Sequence, residues 1–201
     1  MYTMPSLRER QKLRRRERIF RTAVNLFRER GFHQTSASEI AKAAHVSRGT
    51  FFNYYPYKEA VLLDYGAALL EELRLKARDE LASGDPPLDV LRRLWERLAE
   101  TSENERELLS PLAYELLNPD PARARAAFEA LPLGALVGEI LKPLLESGQL
   151  RRDQSLERIA RSIADVYLLA ALRWAAYTPN RRLKDEMMKF LELMLEGVLA
   201  R

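Results

Sequence analysis

A polar cluster within residues 48–54 has the side-chain types that recognise DNA bases. Its members are Arg48, Gly49, Thr50, Asn53 and Tyr54. On a helix these residues look outward, whereas Phe51 and Tyr55, four positions apart, are predicted to face a core with Phe52 beside them. Arginine can bridge O6 and N7 of guanine, asparagine can pair with N6 and N7 of adenine, and threonine can contact the thymine methyl group. The cluster indicates a helix that enters the major groove, with an αα-hairpin of plain polar surface as the alternative.

Two short helices joined by a tight turn are predicted to position this cluster. Ser36 followed by Glu39 has the spacing of a capping box, which indicates that a helix begins there. Residues 45–47 form the predicted turn. Ser47 is a favourable N-cap for a second helix that runs to about Tyr55, and the proline that follows it prevents much continuation.

The residues of this motif resemble a known family. The segment Val46–Tyr55, followed by Lys58 and Glu59, resembles the signature of the TetR family of bacterial one-component transcriptional repressors. Upstream positions that match the first helix of that family are Ile19, Phe20, Ala23, Leu26, Phe27, Gly31 and Phe32. The close match covers about residues 15–64. One departure is His45, which stands where the family usually has glycine and is predicted to need a left-handed backbone.

The resemblance implies an all-α protein with two domains. An N-terminal three-helix helix-turn-helix DNA-binding domain would occupy residues 1–57, and a C-terminal helical ligand-binding and dimerisation domain would occupy residues 58–201. The residues expected to face DNA in this motif are Thr35, Ser36, Ser47, Arg48, Gly49, Thr50, Asn53, Tyr54 and Lys58. Among them, Thr35 and Lys58 are expected to hold phosphates at two helix N-termini.

Basic charge is concentrated at the N-terminal end of the chain. Residues 1–58 contain 13 Lys or Arg against 4 acidic residues, and residues 59–201 contain 20 against 25, within a net charge of +4. A basic head on an acidic body is typical of a protein that binds a polyanion. The arginine-rich stretch from Arg8 to Arg21, which includes Arg14, is expected to lie beside DNA phosphates or reach the minor groove. Outside such a context, a run of this kind is usually a solvated face.

Composition excludes several other classes of protein. The 201 residues include no cysteine and only two histidines, His33 and His45. The usual thiolate and histidine metal sites and histidine-based hydrolase sites are therefore excluded, and no catalytic residue, metal or cofactor is predicted. No apolar run approaches the roughly 20 residues that span a bilayer, and the first residues lack the apolar region of a signal peptide. We therefore expect a cytoplasmic protein with no membrane partner.

The remainder of the chain has the pattern of amphipathic helices with proline breaks. Pro132 and Pro143 are expected to divide or kink one helix and so leave room for a cavity. The candidate lining residues, any one of which is more often plain core, are Leu94, Trp95, Leu98, Leu112, Tyr114, Leu116, Phe128, Leu136, Ile140, Tyr167 and Trp174.

Such an apolar lining favours a greasy effector. The leading hypothesis is a fatty acyl-CoA whose anionic head meets Arg92, Arg93, Arg123 or Arg125. Hydrophobic drugs and aromatic acids are the alternatives.

The last two predicted helices, near residues 155–177 and 183–199, are apolar around most of their circumference. This surplus of apolar surface predicts a homodimer that forms a four-helix bundle, the alternative being that the two helices bury each other within one chain. The residues assigned to the interface are Tyr167, Ala171, Trp174, Met187, Phe190, Leu191, Met194, Leu195 and Val198.

The sequence therefore predicts a dimeric transcriptional repressor that binds a palindromic operator in double-stranded DNA and is released by a small hydrophobic effector. Two-fold symmetry would place the recognition helices roughly 34–36 Å apart. A ligand-independent architectural DNA-binding protein is the alternative, and it would lack an effector cavity. An enzyme is not expected, because the sequence offers no clustered nucleophile, paired carboxylates or metal ligands.

Overall fold

The chain is helical throughout the part that the structure describes. The computed structural model describes residues 6–177 and 182–199, apart from the side chain of residue 176. The helices are α1 (Leu7–Arg30), α2 (Ala37–Ala43), α3 (Arg48–Tyr54), α4 (Ala60–Ala82), α5 (Pro87–Asn104), α6 (Arg106–Leu116), α7 (Pro121–Ala130), α8 (Leu133–Glu146), α9 (Leu156–Tyr177) and α10 (Leu183–Val198). Within these ranges the extended pairing is limited to one isolated antiparallel bridge between Leu150 and Leu199. The predicted all-α class is confirmed.

Two absences hold for those same ranges. No helix combines the length and the apolar content that crossing a bilayer requires. No group of three or more histidine and acidic side chains lies in an arrangement that could hold a metal ion.

The chain forms two compact units, which divide between Tyr65 and Gly66, inside α4. The boundary predicted from the sequence, at residues 57 and 58, lies in the loop before α4 and remains a proposal.

The unit of residues 1–65 is built around a small apolar core. Ile19, Ala23, Phe27, Ile40 and Phe51 are fully buried. Helix α1 starts at a capping box and ends at a glycine with positive φ, after which the chain folds back over the last turn of the helix. These local features bring α2 and α3 against the apolar half of α1 and leave its arginine-rich half exposed.

The unit of residues 66–201 has a larger core, to which α5, α8, α9 and α10 all contribute. Helices α8 and α9 approach closely because glycines of α8 meet α9: a Cβ on Gly134 would lie 3.4 Å from the Cα of Arg161. Pro132 separates α7 from α8, as expected, whereas Pro143 lies inside α8 without ending it. This packing explains how α9 and α10, which are apolar around most of their circumference, are buried within one chain.

This packing corrects the predicted dimer residues that it buries within the chain, and the half-buried ones stay a prediction. Those that are at most 8% exposed are Tyr167, Trp174, Met187, Leu191, Leu195 and Val198, while Ala171, Phe190 and Met194 pack half-buried against the same core. These side chains are used inside a single chain, because α9 and α10 turn their broad apolar faces toward α5, α8 and each other. Among the described residues of these two helices, the large apolar side chains left exposed are Leu169, Tyr177 and Leu193.

Candidate functional site

Helices α2 and α3 form a helix-turn-helix whose ends are capped as the sequence predicts. The Ser36 hydroxyl accepts the Glu39 backbone N–H at 3.2 Å, and the Glu39 carboxylate accepts the Ser36 N–H at 2.8 Å. Ser47 caps α3 by accepting the Thr50 N–H at 3.0 Å. In the turn, His45 has a φ of 51°, and it alone has a positive φ among the described non-glycine residues. The predicted left-handed turn is confirmed.

Helix α3 separates an apolar inner face from a polar outer one. Phe51 and Tyr55 are at most 1% exposed. Outward lie Arg48, Gly49 and Asn53, which are exposed, and Thr50 and Tyr54, which are half-buried. Since the Thr50 hydroxyl is 2.8 Å from that of Ser47, both belong to the capped start of the helix. The structure brings this predicted cluster together on one surface, and its contact with DNA stays a prediction.

Phe52 corrects the sequence-based assignment of the inner face. It is 37% exposed, so it does not lie in the core, although its ring contacts that of Phe51 with the centroids 5.3 Å apart. The guanidinium carbon of Arg48 is 5.6 Å from the centroid of the Phe52 ring. Phe52 therefore belongs to the outer surface, where it can hold the arginine side chain in place.

Thr35 and Lys58 bind the backbone of the protein itself. The Thr35 side chain is 2% exposed and its hydroxyl donates to the Gly31 carbonyl at 2.9 Å. The Lys58 ammonium donates to the carbonyls of Phe32 and Thr35, at 2.8 and 2.9 Å, and its burial lowers the pKa of that amine. The expectation that Thr35 holds phosphate is thus corrected, because its buried side chain fixes the loop between α1 and α2. Lys58 is half-buried and uses two of its three N–H groups in this loop, so its contact with phosphate stays a prediction.

Two further predicted contacts are exposed. Ser36 lies at the surface, but its hydroxyl is 2.7 Å from the Glu39 carboxylate and so serves the capping box. Arg14 lies on the exposed side of α1 with Gln11, Arg15 and Arg18, which line a shallow hollow with it. The structure therefore leaves the basic face of α1 available to a polyanion.

A partly buried polar contact that joins three helices escaped the sequence reasoning. The Tyr55 hydroxyl donates to Asp64 at 2.8 Å, and the Arg16 guanidinium lies 2.8 Å from the same carboxylate. Burial, followed by the hydrogen bond to Asp64, raises the pKa of Tyr55. The contact ties the end of α3 to α1 and to the first turns of α4, which fixes the orientation of α3.

The unit of residues 66–201 contains a large apolar cavity of about 980 Å³, at the upper end of the usual range for ligand pockets. Five predicted residues contribute to its wall: Leu98, Leu112, Leu116, Phe128 and Tyr167. The other apolar candidates do not. Leu94, Trp95, Leu136, Ile140 and Trp174 lie in the core, at most 6% exposed, and Tyr114 is 53% exposed at the surface.

Small residues provide much of the space in this cavity. Gly66, Gly134, Gly138, Ala160 and Ala164 all line it. The spacing of four between the two glycines of α8, and between the two alanines of α9, was the available sequence signal. Sequence reasoning missed it because it searched for large apolar side chains, which here fill the core.

Gly66 is the point at which the cavity wall meets α4. A Cβ built there would lie 2.6 Å from a methyl carbon of Leu131 and 2.7 Å from one of Leu112. Both leucines line the cavity with Gly66. Only a residue without a side chain allows them to pack directly on the α4 backbone.

The polar groups of the wall fall into two sets. Glu157, Arg161 and Asp165, at spacings of four along α9, are exposed, and the first two form an ion pair of 2.6 Å. Ser102 and Tyr167 are at most 8% exposed, with their hydroxyl oxygens 2.9 Å apart. Burial raises the pKa of Tyr167 to about 12.

The arginines predicted to meet an anionic head are engaged elsewhere. Arg92 donates to Glu192 at 2.7 Å, and Arg93 donates to Glu80 at 3.1 Å and also to Asp85. Neither residue lines the cavity. Their assignment to the ligand site is corrected, since partners up to 100 positions away in the sequence occupy both guanidinium groups. A further candidate, Arg123, holds the buried carboxylate of Glu115 at 2.7 Å, and Arg125 is exposed on α7.

Two family models match the chain and together cover most of it. Residues 19–65 match the model described as bacterial regulatory proteins, tetR family. Residues 67–197 match the model described as the C-terminal domain of TetR/AcrR family transcriptional repressors.

Individual relatives give the same assignment. FadR of Thermus thermophilus, a TetR family transcriptional repressor solved in complex with lauroyl-CoA, is 67% identical, with a TM-score of 0.89 over 92% of this chain and 96% of that one. YerO and YuxN of Bacillus subtilis, HTH-type transcriptional regulators, are 27% and 25% identical over 78% and 97% of this chain. The matched part of this chain spans 52% and 66% of their respective lengths.

Proposed function

Because this chain belongs to the TetR family of bacterial transcriptional regulators, we propose that it is a homodimeric repressor whose hold on a palindromic operator is released by a fatty acyl-CoA. The observation that carries the effector assignment is the apolar cavity of about 980 Å³ with charged residues of α9 on its wall. The likeness to the Thermus thermophilus repressor solved with lauroyl-CoA supports the same ligand class. A ligand-independent architectural role gains no support from a body unit with so large a cavity.

The proposed operator contact is the outer surface of α3 together with the basic side of α1. Arg48, Asn53 and Tyr54 present the groups that read base edges. Ser47 and Thr50 lie at the N-terminus of α3, where they are placed to contact the phosphate backbone. Exposed arginines of α1, Arg14 among them, add affinity that depends on salt and carries no sequence information. The buried Thr35 has a supporting role in this arrangement, since it fixes the loop that precedes α2, and the half-buried Lys58 binds the same loop while keeping one N–H for a phosphate.

The proposed effector position follows from the two kinds of surface in the cavity. A hydrocarbon chain is favoured against the leucines, alanines and glycines of the wall, since each buried methylene contributes about 0.8 kcal/mol. The anionic head group of the ligand is placed at the exposed residues of α9. Among the described residues that line the cavity, Arg161 is the one with a cationic side chain. Arg161 would exchange its ion pair with Glu157 for a phosphate group of the ligand.

The proposed dimer surface differs from the one predicted from the sequence. Leu169 and Tyr177 on α9 are 68% and 81% exposed, and Leu193 on α10 is 65% exposed. Exposed apolar side chains on adjacent helices mark an interaction surface, and a second copy of the chain would bury them symmetrically. Leu193→Glu is expected to convert the dimer to a monomer in analytical ultracentrifugation, whereas a dimer that persists would place the interface elsewhere.

The proposed coupling element is α4, because this helix begins in the unit of residues 1–65 and then lines the cavity with Gly66, Leu69 and Leu70. An effector that favours one setting of α4 changes the relative placement of the two recognition helices in the dimer. A hundredfold loss of operator affinity requires about 2.7 kcal/mol of coupling, which lies within the usual range.

Isothermal titration calorimetry tests the effector class. Lauroyl-CoA is expected to bind with a negative heat-capacity change, the mark of apolar burial, while coenzyme A without an acyl chain binds far more weakly. Equal affinities for lauroyl-CoA and coenzyme A would show that the cavity does not hold the chain.

A further inference from the structure

The cavity wall contains one buried polar pair with unused hydrogen-bonding capacity. Ser102 on α5 and Tyr167 on α9 both line the cavity, and their oxygens are 2.9 Å apart. Two hydroxyl groups carry two hydrogens, and the bond between them uses one. Among the described residues, neither hydroxyl makes a second hydrogen bond. One hydroxyl hydrogen is therefore free to donate into the cavity.

The apolar surroundings of this hydroxyl hydrogen favour a ligand that places a hydrogen-bond acceptor beside it. Leu98, Leu168 and Ala171 line the wall near the pair in sequence, and the Trp95 ring packs edge-on against Tyr167 at 5.5 Å. A polar group buried among such neighbours is costly to leave without a partner. Because its pKa is raised by burial, the Tyr167 hydroxyl keeps its hydrogen across the physiological pH range. An acceptor on the ligand would satisfy the pair.

We propose that the Ser102–Tyr167 pair is the binding site for a carbonyl oxygen of the effector. This inference rests on the proposed function, in which that oxygen is the thioester carbonyl of an acyl-CoA. Arg161 and Tyr167 are six positions apart on α9, so they are separated by about 9 Å along the helix. The pantetheine arm that joins the phosphates of CoA to the thioester is longer than this separation when extended. A ligand whose phosphate group lies at Arg161 can therefore reach the hydroxyl pair with its thioester, with the hydrocarbon chain beyond it.

The test compares two ligands that differ only in the carbonyl oxygen. Lauroyl-CoA is a thioester, whereas S-dodecyl-CoA is a thioether with the same chain length and no carbonyl. The natural protein is expected to bind lauroyl-CoA about 2- to 13-fold more tightly, the range of one neutral hydrogen bond. The Ser102→Ala/Tyr167→Phe variant, which lacks both hydroxyls, is expected to bind the two ligands equally. Because both affinities are measured on the same variant, a partial loss of folding cancels from their ratio.

A matched variant controls for the loss of two hydroxyls from the body unit. Ser110→Ala/Tyr114→Phe removes the same two groups from α6 at positions outside the cavity wall, and it should keep the full preference for the thioester. A preference that survives in the Ser102→Ala/Tyr167→Phe variant, or is absent from the natural protein, would overturn the inference while acyl-CoA binding stands. If lauroyl-CoA and S-dodecyl-CoA both fail to bind, the proposed effector class falls and this inference falls with it.

Discussion

The two compact units present their functional groups in opposite ways. In the unit of residues 1–65, the candidate DNA-reading groups come from one seven-residue helix, α3, and point away from the core. In the unit of residues 66–201, the candidate ligand site is an internal space bounded by residues from α4 to α9. The residues that form an exposed surface can be specified by their spacing within one short helix. The shape of a cavity depends instead on side chains from helices that are far apart in the sequence. The predictions below separate these two dependences.

The largest expected effect is the loss of one buried ring from the first unit. Phe51→Ala should destabilise that unit by about 3–5 kcal/mol, because the fully buried Phe51 anchors α3. Operator binding should disappear while lauroyl-CoA still binds with the affinity of the natural protein. Hydrogen exchange over α1–α3, with calorimetry on the same sample, measures both. Equal losses in the two units would mean that the cavity is not independently maintained.

The exposed counterpart of that change is Arg48→Ala. Loss of a bidentate base contact costs about 1–3 kcal/mol, so affinity for an operator selected from random duplexes should fall by about 5- to 150-fold. Stability and lauroyl-CoA affinity should not change. Arg158→Ala, which removes an exposed arginine from α9, is the matched control. An operator affinity unchanged by Arg48→Ala would remove α3 from the recognition surface.

The cavity unit is sensitive to added volume. Gly66→Ala places a methyl group 2.6 and 2.7 Å from the terminal methyl carbons of Leu131 and Leu112, which must shift. Because these are the flexible ends of side chains beside a cavity, the cost is about 1 kcal/mol, the low end for overpacking. Gly197→Ala adds the same methyl to α10 where no atom lies within 4 Å, so it should be neutral or stabilise by up to about 1 kcal/mol. Urea denaturation of both variants measures the difference. If Gly66→Ala is no less stable than Gly197→Ala, the contact of the leucines with α4 is loose.

The smallest effect concerns one buried tyrosine in each unit. Burial raises the pKa of Tyr167 to about 12 and also raises that of Tyr55. In the unfolded chain a tyrosine ionises near pH 10, so the stabilisation is fully present below pH 10 and is lost as the pH rises toward 12. Between pH 9 and pH 11, the free energy of unfolding should fall by about 1 kcal/mol more for the natural protein than for Tyr167→Phe. Parallel pH profiles would contradict a buried, protonated Tyr167.

Sequence reasoning succeeded where local rules decide the outcome. The caps at Ser36 and Ser47 follow from residue type and spacing alone. The left-handed backbone at His45 was expected from the resemblance, because the family usually has glycine at that position of the turn. It could not find partners that are distant in sequence. The contact of Lys58 with DNA stays a prediction, but nothing in the sequence showed that its ammonium also binds the carbonyls of Phe32 and Thr35.

The same limit explains the errors in the second unit. Arg92 was assigned to the ligand, yet Glu192 on α10 holds it. Met187 and Leu191 were assigned to a dimer interface because an apolar stripe does not reveal which helix covers it; here the core of the same chain does. The glycines and alanines of the cavity wall were overlooked because small residues form a cavity by leaving space unfilled, and a sequence does not show which helices surround that space.

The most direct test of the account is one titration. Fluorescence anisotropy follows the protein on a duplex carrying its selected operator while lauroyl-CoA is added, with coenzyme A as the control. The account predicts that lauroyl-CoA lowers operator affinity and that saturating operator weakens lauroyl-CoA binding by the same factor, since coupling is reciprocal. Tight binding of lauroyl-CoA with no change in operator affinity would contradict it.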